Sequence, residues 1–588
     1  MSVCLRARST RSLTLPLAVS ALTAVCFLPA VSGSFLNWDD DVNFLQNHAY
    51  RGLGLQQIRW AFTSVLFGHY IPLTRLTFSL NFVLGGMNPW GYHLLNVLLH
   101  AANAALFYVV ARRLLAAAAG GGSQARRDDP AISAAAAVAA LVFGIHPLRV
   151  EPVAWVTGRA DLLCATFVLL ATWAYLRAVE GAGSARRGLV LASAGALAAA
   201  LLSKGVALSI PAVLLLLDIY PLRRSPRLGW WPLVREKIPL FVVTLVAAAV
   251  VVYAVRHGTP LTPSGRYGVV ARMAIAAYSF IVPIARFVWP FALSPLTEMP
   301  ARVTLDSKFG LALVVAVVIT VVLVVVRRRW PAGLAAWTFS LLVLAPISAA
   351  VKVTTDLVPD RHSYLAGLGL AALIGGGVLG VIRLVRRGAL SRPMAWVAAG
   401  AGLTLLLALG ATSWSYSEIW RDPETLWRWA VAVDPGCALC HSNLGEVLLE
   451  IPGDPSRAAE AMNLFRRAIA RRPDLREAHF NLGTALMIQG RYAEAEAPLR
   501  RSMEQTPAPI IVHERLGRLY LLQRRYDEAV PLLRNAARAA PQAADVRGYL
   551  VEALDGRARE LQRQDRGAEA ELLLGESRAL TGEIVRRP

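Results

Sequence analysis

Long runs of apolar residues with almost no charge recur through the first 420 residues of this 588-residue chain. A helix needs about 20 apolar residues to cross the hydrocarbon core of a bilayer. The composition agrees, with 55% hydrophobic and 17% charged residues and a mean hydropathy of +0.47. Eleven runs lie at about 12–31, 94–111, 131–146, 161–176, 188–203, 205–217, 238–255, 309–326, 331–350, 363–382 and 393–413. The sequence therefore predicts an integral membrane protein with about eleven helical spans.

Basic residues recur in every second loop between these runs, and short loops rich in Lys and Arg stay cytoplasmic. They are Arg6, Arg8 and Arg11; Arg112, Arg113, Arg126 and Arg127; Arg186 and Arg187; Arg223, Arg224, Arg227, Arg235 and Lys237; Arg327, Arg328 and Arg329; and Arg383, Arg386, Arg387 and Arg392. Eleven spans then leave the C-terminal region outside, provided that the stretch 270–292 enters and leaves by one face or packs at the interface. The net charge of +22 is mostly this orientation signal, so nucleic acid is not an expected partner.

The first run, Ser12–Val31, resembles a signal peptide because arginines precede it and small residues lie near its end. Its apolar stretch is longer than that of a typical leader. We therefore expect an uncleaved first span, with a removed leader as the alternative.

From about residue 420 the chain changes to Ala, Leu, Arg and Glu with helical periodicity, and it repeats itself. Leu482-Gly483, Ala495, Leu499 and Pro507 are matched by Leu516-Gly517, Ala529, Leu533 and Pro541, each 34 residues later. This is the period of the tetratricopeptide repeat (TPR), a pair of helices that stacks into a solenoid. An earlier copy begins near Leu444-Gly445 and carries an insertion around 451–455. The pattern predicts the fold of this region and only weakly its function.

Two cysteines, Cys437 and Cys440, precede His441 in the C-x-x-C-H pattern of covalent haem attachment. His441-Ser-Asn-Leu-Gly has a counterpart in His479-Phe-Asn-Leu-Gly, where no cysteine precedes the histidine. His441 is therefore explained by the repeat alone. Attached haem, an outer-face disulfide and two packed thiols stay open as alternatives, with haem the least favoured.

Ionisable residues gather in three predicted outer loops. The first contains Asp39, Asp40 and Asp41, the second runs from His146 to Asp161, and the third is Asp360–Tyr364. Each cluster alone could be a solvated loop. Three clusters on one face indicate a site, because ionisable residues at a membrane edge are costly unless paired or used.

Ordered motifs along nearly the whole chain resemble one family. They are Trp38-Asp39-Asp40, Arg51-Gly52-Leu53, Pro72-Leu-Thr74, Gly91-Tyr92-His93, Asn96 and His100, His146-Pro147 with Glu151 and Trp155, Arg159-Ala-Asp161, Ser203-Lys204, Leu217-Asp218 with Tyr220-Pro221, and Asp360-Arg361 with Tyr364. In this order they resemble bacterial relatives of the transmembrane-and-TPR O-mannosyltransferases. The resemblance implies an all-α protein with a type C glycosyltransferase-like membrane domain at 1–417, whose first outer loop is 32–93, and a non-cytoplasmic TPR domain at 418–588.

The resemblance also implies site residues. One of Asp39 and Asp40 would be the general base that accepts the proton of the acceptor hydroxyl. A polyprenyl-phosphate leaving group develops negative charge, which nearby cations stabilise. The candidates for binding the phosphate and sugar of the donor are His146, Glu151, Arg159, Asp161, Lys204 and Arg361. Asp39 and Asp40 with Glu151 could also hold a divalent metal ion by oxygen ligation, so the metal requirement is unassigned.

The chain departs from the family pattern in two places. Arg361-His362-Ser363-Tyr364 stands where eukaryotic members carry paired tyrosines, and Gly205 follows Lys204 where many bacterial relatives carry proline. These departures leave the head group of the donor open.

The predicted function is transfer of mannose or a similar hexose from a polyprenyl-phosphate donor to a hydroxyl, with protein Ser/Thr as the expected acceptor. The protein would sit in a bacterial inner membrane with its repeats facing the periplasm or exterior. Alternatives are transfer to a glycan or lipid, and a non-catalytic membrane-anchored TPR scaffold. A transporter is disfavoured because inverted repeats and broken mid-membrane helices are not visible in the sequence.

Overall fold

A computed structural model describes residues 2–66, 68–120, 129–258, 268–299, 303–348, 356–450, 454–504 and 510–586. Arg126, Arg127, Pro507 and the insertion at 451–453 lie outside these residues. Throughout the described ranges the regular structure is helical, with two isolated bridges and no strand. The all-α prediction is confirmed. The chain forms two compact units, Met1–Leu426 and Trp427–Pro588, while the functional boundary at 417–418 stays a prediction.

The first unit is built from helices. Its α-helices are α1 (Ser2–Cys26), α2 (Leu55–Thr63), α3 (Pro72–Gly85), α4 (Pro89–Ala118), α5 (Pro130–Gly144), α6 (Val150–Ala154), α7 (Arg159–Glu180), α8 (Gly183–Ser203), α9 (Ile210–Ile219), α10 (Ser225–Leu228), α11 (Trp230–Glu236), α12 (Ile238–Gly258), α13 (Val269–Val288), α14 (Lys308–Val325), α15 (Pro331–Leu344), α16 (Ser363–Arg386) and α17 (Arg392–Ile419). The helix α18 (Pro423–Val433) follows at the division between the units.

Eight helical segments in the described ranges are long and apolar enough to cross a membrane: 89–118, 156–180, 183–203, 238–256, 269–288, 308–325, 360–386 and 392–419. A ninth is the pair 130–144 and 147–154, which is bent by 59°. Three predicted runs form shorter apolar helices at 13–26, 205–219 and 331–347. The predicted runs thus all appear as apolar helices, and the chain is an integral membrane protein.

The helix α13 corresponds to the stretch 270–292, which the predicted topology requires to enter and leave by one face or to pack at the interface. Its first half packs in one apolar cluster with Leu357 and Val358, and this cluster contains Ala274 and Ile275. Near its end Arg286 donates to the carbonyl oxygen of Val358. The helix α13 is thus linked to the segment before Asp360. Its length and composition allow it to span, so entry and exit by one face stays a prediction.

Polar residues inside α4 organise the core of the first unit. His100 bonds through its two ring nitrogens to the Tyr364 hydroxyl at 2.7 Å and to the Gly144 carbonyl oxygen at 2.8 Å. Asn103 donates to the same Tyr364 hydroxyl at 3.1 Å. Buried polar groups are tolerated when they are hydrogen-bonded in this way. The network ties α4 and α5 to the start of α16, which places the third polar cluster.

A second buried network holds the other end of the bundle. Asp218 accepts hydrogen bonds from Tyr175 and Arg224 at 2.8 and 2.9 Å, and it pairs with Lys237. Asp218 and Lys237 are both inaccessible to solvent. A buried charge is retained only when it is paired and hydrogen-bonded. The Leu217–Leu222 motif therefore has a structural role, because its Asp218 fixes the end of α9 to Tyr175, Arg224 and Lys237.

The second unit consists of stacked helix pairs. They are α19 (Ala438–Leu449) with α20 (Pro455–Arg471), α21 (Arg476–Ile488) with α22 (Tyr492–Met503), α23 (Ile510–Leu522) with α24 (Tyr526–Ala539), and α25 (Ala544–Arg563) with α26 (Gly567–Arg586). The repeated glycine permits close approach within a pair, because a Cβ on Gly483 would lie 2.5 Å from Leu499 Cγ. The TPR prediction is confirmed.

Cys437 and Cys440 are joined by a disulfide bond at the start of α19. Both cysteines are buried, and His441 is buried beside them with Nδ1 at 2.8 Å from the Cys437 carbonyl oxygen. Of the three alternatives, the structure therefore contains the disulfide. Haem attachment through thioethers would need both sulfurs, which this bond occupies.

Candidate functional site

Asp40 joins the first outer loop to the second. Its carboxylate is fully buried and accepts hydrogen bonds from the Leu36 amide at 3.1 Å, the Thr157 hydroxyl at 2.7 Å and the Thr157 amide at 3.3 Å. Burial raises the pKa of Asp40 to about 7, although these hydrogen bonds oppose the shift. Asp40 is thus held in place by protein groups and closed to bulk solvent.

Asp39 has the opposite environment. It is exposed, and its backbone adopts φ 67°, a left-handed conformation that Asp tolerates better than most residues. Asp41 is partly buried and begins a short π-helical turn, Asp41–Leu45. The acidic pair therefore divides into one carboxylate that an incoming molecule can reach and one that fixes the loop.

Trp155 connects all three polar clusters. Its indole Nε1 donates to the carbonyl oxygen of Trp38 at 2.8 Å. The guanidinium of Arg361 lies 5.1 Å from the centre of its ring, a cation–π distance. The residue before the acidic pair and the arginine of the third cluster are therefore held by one side chain, as predicted for three loops that share a site.

Glu151 and Arg361 form an ion pair at the centre of this arrangement. The Arg361 amide donates to Glu151 Oε2 at 2.8 Å, and the Arg361 guanidinium pairs with Glu151 Oε1. A second carboxylate, Asp356, lies 3.8 Å from the same guanidinium. The Arg361 side chain is 18% exposed, whereas Glu151 is 1% exposed. Arg361 is therefore a partly exposed cation whose carboxylate partner Glu151 is buried.

Lys204 and Asp161 form the second partly open pair. Lys204 Nζ lies 2.6 Å from Asp161 Oδ2, at the C-terminal end of α8. The lysine side chain is 17% exposed and the aspartate 8%. Lys204 is thus a second cation that an anion could reach from outside.

Two of the predicted donor-binding residues, Arg159 and His146, are buried rather than partly exposed. Arg159 is wholly buried, and it donates to Asn96, Asn81 and the Tyr92 carbonyl oxygen at 2.5–2.8 Å. His146 is also buried, since it stacks on Phe287 at 4.5 Å and bonds to the Phe287 carbonyl oxygen at 2.9 Å. These contacts favour structural roles. Phosphate binding by either residue stays a prediction without support from its surroundings.

Two arginines that are not among the predicted site residues, Arg286 and Arg149, also lie at this site. Arg286 donates to Asp360 at 2.7 Å and to Thr297 at 2.8 Å. Just beyond it, the side chains of Val288 and Trp289 at the end of α13 are exposed. In the sequence, the sign that Arg286 has a specific role is that this charged residue lies inside an apolar run. Arg149 lies behind the third cluster and is described next.

Arg149 is fully buried below the turn that carries Arg361. Its Nη1 donates to the Ser363 hydroxyl at 3.2 Å, and the guanidinium lies 5.1 and 5.4 Å from the rings of Phe143 and Tyr364. Among the described residues, its buried Nε and Nη2 have no hydrogen-bond partner. The guanidinium occupies the space where a side chain on Gly367 would begin. Arg149 therefore shapes the start of α16.

The carboxylates proposed as metal ligands are engaged elsewhere. Glu151 pairs with Arg361, and Asp40 accepts hydrogen bonds from Thr157 and Leu36. Over the described ranges, no three His, Cys, Asp or Glu side chains converge in a way that could hold a metal ion. The arrangement instead offers one exposed acid and two partly exposed cations.

Comparisons with known proteins find matches to family models of the repeats and to curated relatives. Family models described as tetratricopeptide repeat match residues 454–514 and 512–547. The human protein O-mannosyl-transferase TMTC2 is 32% identical over 157 residues, which are 26% of this chain and 17% of that protein. The fruit fly (Drosophila melanogaster) protein O-mannosyl-transferase Tmtc3 is 26% identical over 482 residues, covering 72% of this chain and 50% of that protein. The chain thus matches half or less of the length of these curated relatives.

Solved structures give weaker similarity. ArnT from Cupriavidus metallidurans, bound to undecaprenyl phosphate, is 16% identical with a TM-score of 0.36, covering 84% of this chain and 80% of that chain. MamA from Desulfovibrio magneticus is 15% identical with a TM-score of 0.22, covering 27% of this chain and 84% of that chain.

Proposed function

Because the chain is a relative of the transmembrane-and-TPR protein O-mannosyl-transferases, we propose that it is a membrane glycosyltransferase. In this proposal it transfers mannose or a similar hexose from a polyprenyl-phosphate donor to a hydroxyl group of protein Ser/Thr. The reaction takes place at the face where the three polar clusters meet. The single observation that carries the proposal is the exposed Asp39 next to the anchored Asp40, joined through Trp155 to Arg361.

Asp39 is the proposed general base, because it is the acid of the pair that an acceptor can reach. It takes the proton of the acceptor hydroxyl while the oxygen attacks the anomeric carbon of the sugar. The bond from that carbon to the phosphate oxygen breaks, and its electron pair leaves with the polyprenyl phosphate. A base of this kind contributes about 10²–10⁴-fold to rate.

Asp40 supports this step from behind. Its three hydrogen bonds to Leu36 and Thr157 hold the backbone that presents Asp39. Reacting groups must be placed closely for such a transfer, since misplacement by about 1 Å can cost about 10²-fold. Asp40 is therefore proposed as the positioning acid.

Arg361 and Lys204 are the proposed stabilisers of the departing phosphate. Each has a partly exposed side chain and a more deeply buried carboxylate partner. Fixed cations stabilise a developing anion because they need little reorganisation when the charge appears. The partners Glu151 and Asp161 hold both cations in place before the donor arrives.

The disulfide supports a non-cytoplasmic position for the repeats, as the basic loops predict. Cys437–Cys440 is a structural disulfide inside the repeat unit. Such bonds persist in oxidising compartments and are rare in the cytosol. We propose that the membrane is a bacterial inner membrane and that the repeats, on its outer side, receive the acceptor protein.

A non-catalytic scaffold is the second candidate, and the family models favour it in one respect, since they match the repeats. Purified protein would be incubated with a labelled polyprenyl-phosphate hexose and a periplasmic protein extract. Label on protein supports the proposed function, and label on glycan or lipid identifies a different acceptor. No donor turnover, together with partner capture, would replace the enzyme by the scaffold.

A further inference from the structure

The chain between α9 and α12, residues 220–237, carries an excess of positive charge. This basic linker, together with Asp218 just before it, contains five basic and two acidic residues. Both acids are already engaged. Asp218 pairs with Arg224 and Lys237, and Glu236 lies 2.9 Å from Arg224. The other basic residues of the linker are therefore left without these carboxylates.

Three exposed arginines, Arg223, Arg227 and Arg235, carry the excess charge. None of them forms an ion pair or a side-chain hydrogen bond with any residue that the structure describes. Arg224, next to Arg223 in sequence, is instead buried and paired. Guanidinium groups without a partner in the protein keep their N–H donors available for an anion from outside. The linker thus has one buried, compensated set of charges and one exposed, uncompensated set.

The linker joins two apolar helical segments, 205–219 and 238–256, and the second is long enough to span a membrane. Asp218 at the end of α9 pairs with Lys237 directly before α12, so the two ends of the linker are held together. Exposed charges between such segments are costly in hydrocarbon and are placed at the membrane surface. The three exposed arginines are therefore expected at the level of the lipid headgroups.

Two tryptophans point away from the bundle within the same linker. The side chains of Trp230 and Trp231 are 58% and 71% exposed, whereas the nearby Leu233 is completely buried. Tryptophan is enriched at the membrane–water interface because its ring is apolar and its N–H is polar. The exposed side of the linker therefore combines interfacial aromatic rings with unpaired cations.

We propose that the basic linker binds the headgroups of anionic phospholipids through Arg223, Arg227 and Arg235, with Trp230 and Trp231 at headgroup level. A guanidinium can donate two parallel hydrogen bonds to the phosphate of such a lipid. A phosphocholine headgroup carries its own ammonium group, which offsets the phosphate charge, so anionic lipid should be preferred. The proposal is independent of sugar transfer, because none of these residues belongs to the candidate site.

The experiment titrates the full-length protein in neutral detergent micelles with a fluorescent short-chain phosphatidylglycerol. Phosphatidylcholine with the same chains is the neutral control. The combined variant Arg223→Gln, Arg227→Gln and Arg235→Gln should lose about fivefold in phosphatidylglycerol affinity for each arginine replaced, since each is a basic residue near an anionic surface. Its phosphatidylcholine affinity should stay the same. The corresponding three lysine substitutions keep the charge and should retain most of the binding.

The matched control combines Arg466→Gln, Arg538→Gln and Arg563→Gln, three exposed arginines of the repeat unit. It removes the same charge from a protein whose net charge of +22 attracts any anion. Because salt screens exposed charges that are not close to the ligand, this variant should bind phosphatidylglycerol within about twofold of wild type. Equal losses in the linker variant and the control variant would show unspecific attraction and overturn the proposal.

The headgroup position of the linker has its own test. The combined variant Trp230→Ser and Trp231→Ser should also weaken phosphatidylglycerol binding, and unchanged affinity would overturn the placement of the indoles. Equal affinity of wild type for the two lipids would overturn the preference for anionic headgroups. Displacement of the lipid by inorganic phosphate at equal concentration would reveal a site for soluble anions, and stronger binding of an Asp-rich peptide would reveal a site for an acidic protein segment. Either result would overturn the lipid assignment.

Discussion

The Thr157 hydroxyl donates to Asp40 Oδ1 at 2.7 Å and thereby fastens the acidic loop to the turn before α7. The turn in question is Val156–Gly158, directly after Trp155. Since Trp155 also contacts Trp38 and Arg361, this hydrogen bond closes a ring of contacts around the candidate site.

The two acids should respond differently to the same substitution. Asp39→Asn should reduce sugar transfer by about 10²–10⁴-fold, because the amide cannot take a proton. The melting temperature should change little, since Asp39 is exposed. Asp41→Asn, one residue beyond the pair, is the control and should retain transfer. Full transfer by Asp39→Asn would remove Asp39 from the mechanism.

Asp40→Asn should instead lower stability at a pH well below 7, where folded Asp40 is protonated and the two side chains differ in hydrogen bonding but not in charge. The amide nitrogen would face either the Leu36 amide or the Thr157 donors, so one buried donor would lose its acceptor. A lost buried partner costs about 1–3 kcal/mol. Thermal unfolding measures the loss, and Asp40→Asn protein that unfolds like wild type would contradict the positioning role.

The raised pKa of Asp40 predicts a pH dependence of stability. Burial moves this pKa from its ordinary 3.8 to about 7, so between these values the folded protein holds a proton that the unfolded chain releases. The stability that this proton contributes is full below pH 3.8 and is lost as the pH rises through about 7. Unfolding between pH 5 and 8 should therefore depend less on pH in Asp40→Asn. An identical dependence in both proteins would show that another group, such as the similarly buried Asp356, carries the effect.

Gly367 should be sensitive to a single added methyl group. Alanine there would collide with the Arg149 guanidinium, which positions the turn that carries Arg361. Gly367→Ala should therefore lower both transfer and melting temperature. A Cβ on Gly377 of the same helix would meet no described atom within 4 Å, so Gly377→Ala should be neutral or slightly stabilising. Equal behaviour of the two variants would contradict the packing around Arg149.

Arg361 should be poorly replaced by lysine. Lysine keeps the charge but lacks the planar group that lies over Trp155 and donates to Glu151. Arg361→Lys should reduce transfer and raise the donor KM. Arg383→Lys, near the other end of α16, is the control and should leave both unchanged. Unchanged kinetics in Arg361→Lys would show that charge alone suffices.

The outer position of the repeats can be tested by labelling. A cysteine at Arg578, whose side chain is 72% exposed, should react with a membrane-impermeant reagent added to the outside of intact spheroplasts. A cysteine at Arg387, in a predicted cytoplasmic loop, should react only after permeabilisation. Reversal of this pattern would place the repeats inside.

The sequence predicted those parts of the protein that depend on local patterns. Apolar runs gave the membrane helices, and the recurring Leu-Gly pairs such as Leu482-Gly483 gave the repeats. Local patterns could not distinguish the environments of Arg159 and Arg361, because each arginine belongs to a polar motif beside a predicted span. Only their surroundings distinguish them: Arg159 is buried and donates to Asn81 and Asn96, whereas the side chain of Arg361 stays partly exposed. Asn81 and Asn96 are distant from Arg159 in sequence, so the spacing of residues along the chain does not indicate these contacts.

Arg286 was overlooked for a different reason. It interrupts an apolar run, and no polar motif surrounds it in the sequence to indicate a partner. Its bonds to Asp360 and Thr297 appear once α13 lies beside the third cluster. Likewise, Gly367 is one of several glycines in α16, and only the packed Arg149 shows that its missing side chain matters.

The position of Trp155 has a consequence for any change at this residue. Its indole donates to the Trp38 carbonyl oxygen and lies against Arg361, so one side chain contacts both the acidic loop and the third cluster. A smaller side chain at position 155 would remove both contacts at once. The acidic loop and the third cluster are therefore expected to be energetically coupled, because residues that share a partner do not respond to substitution independently.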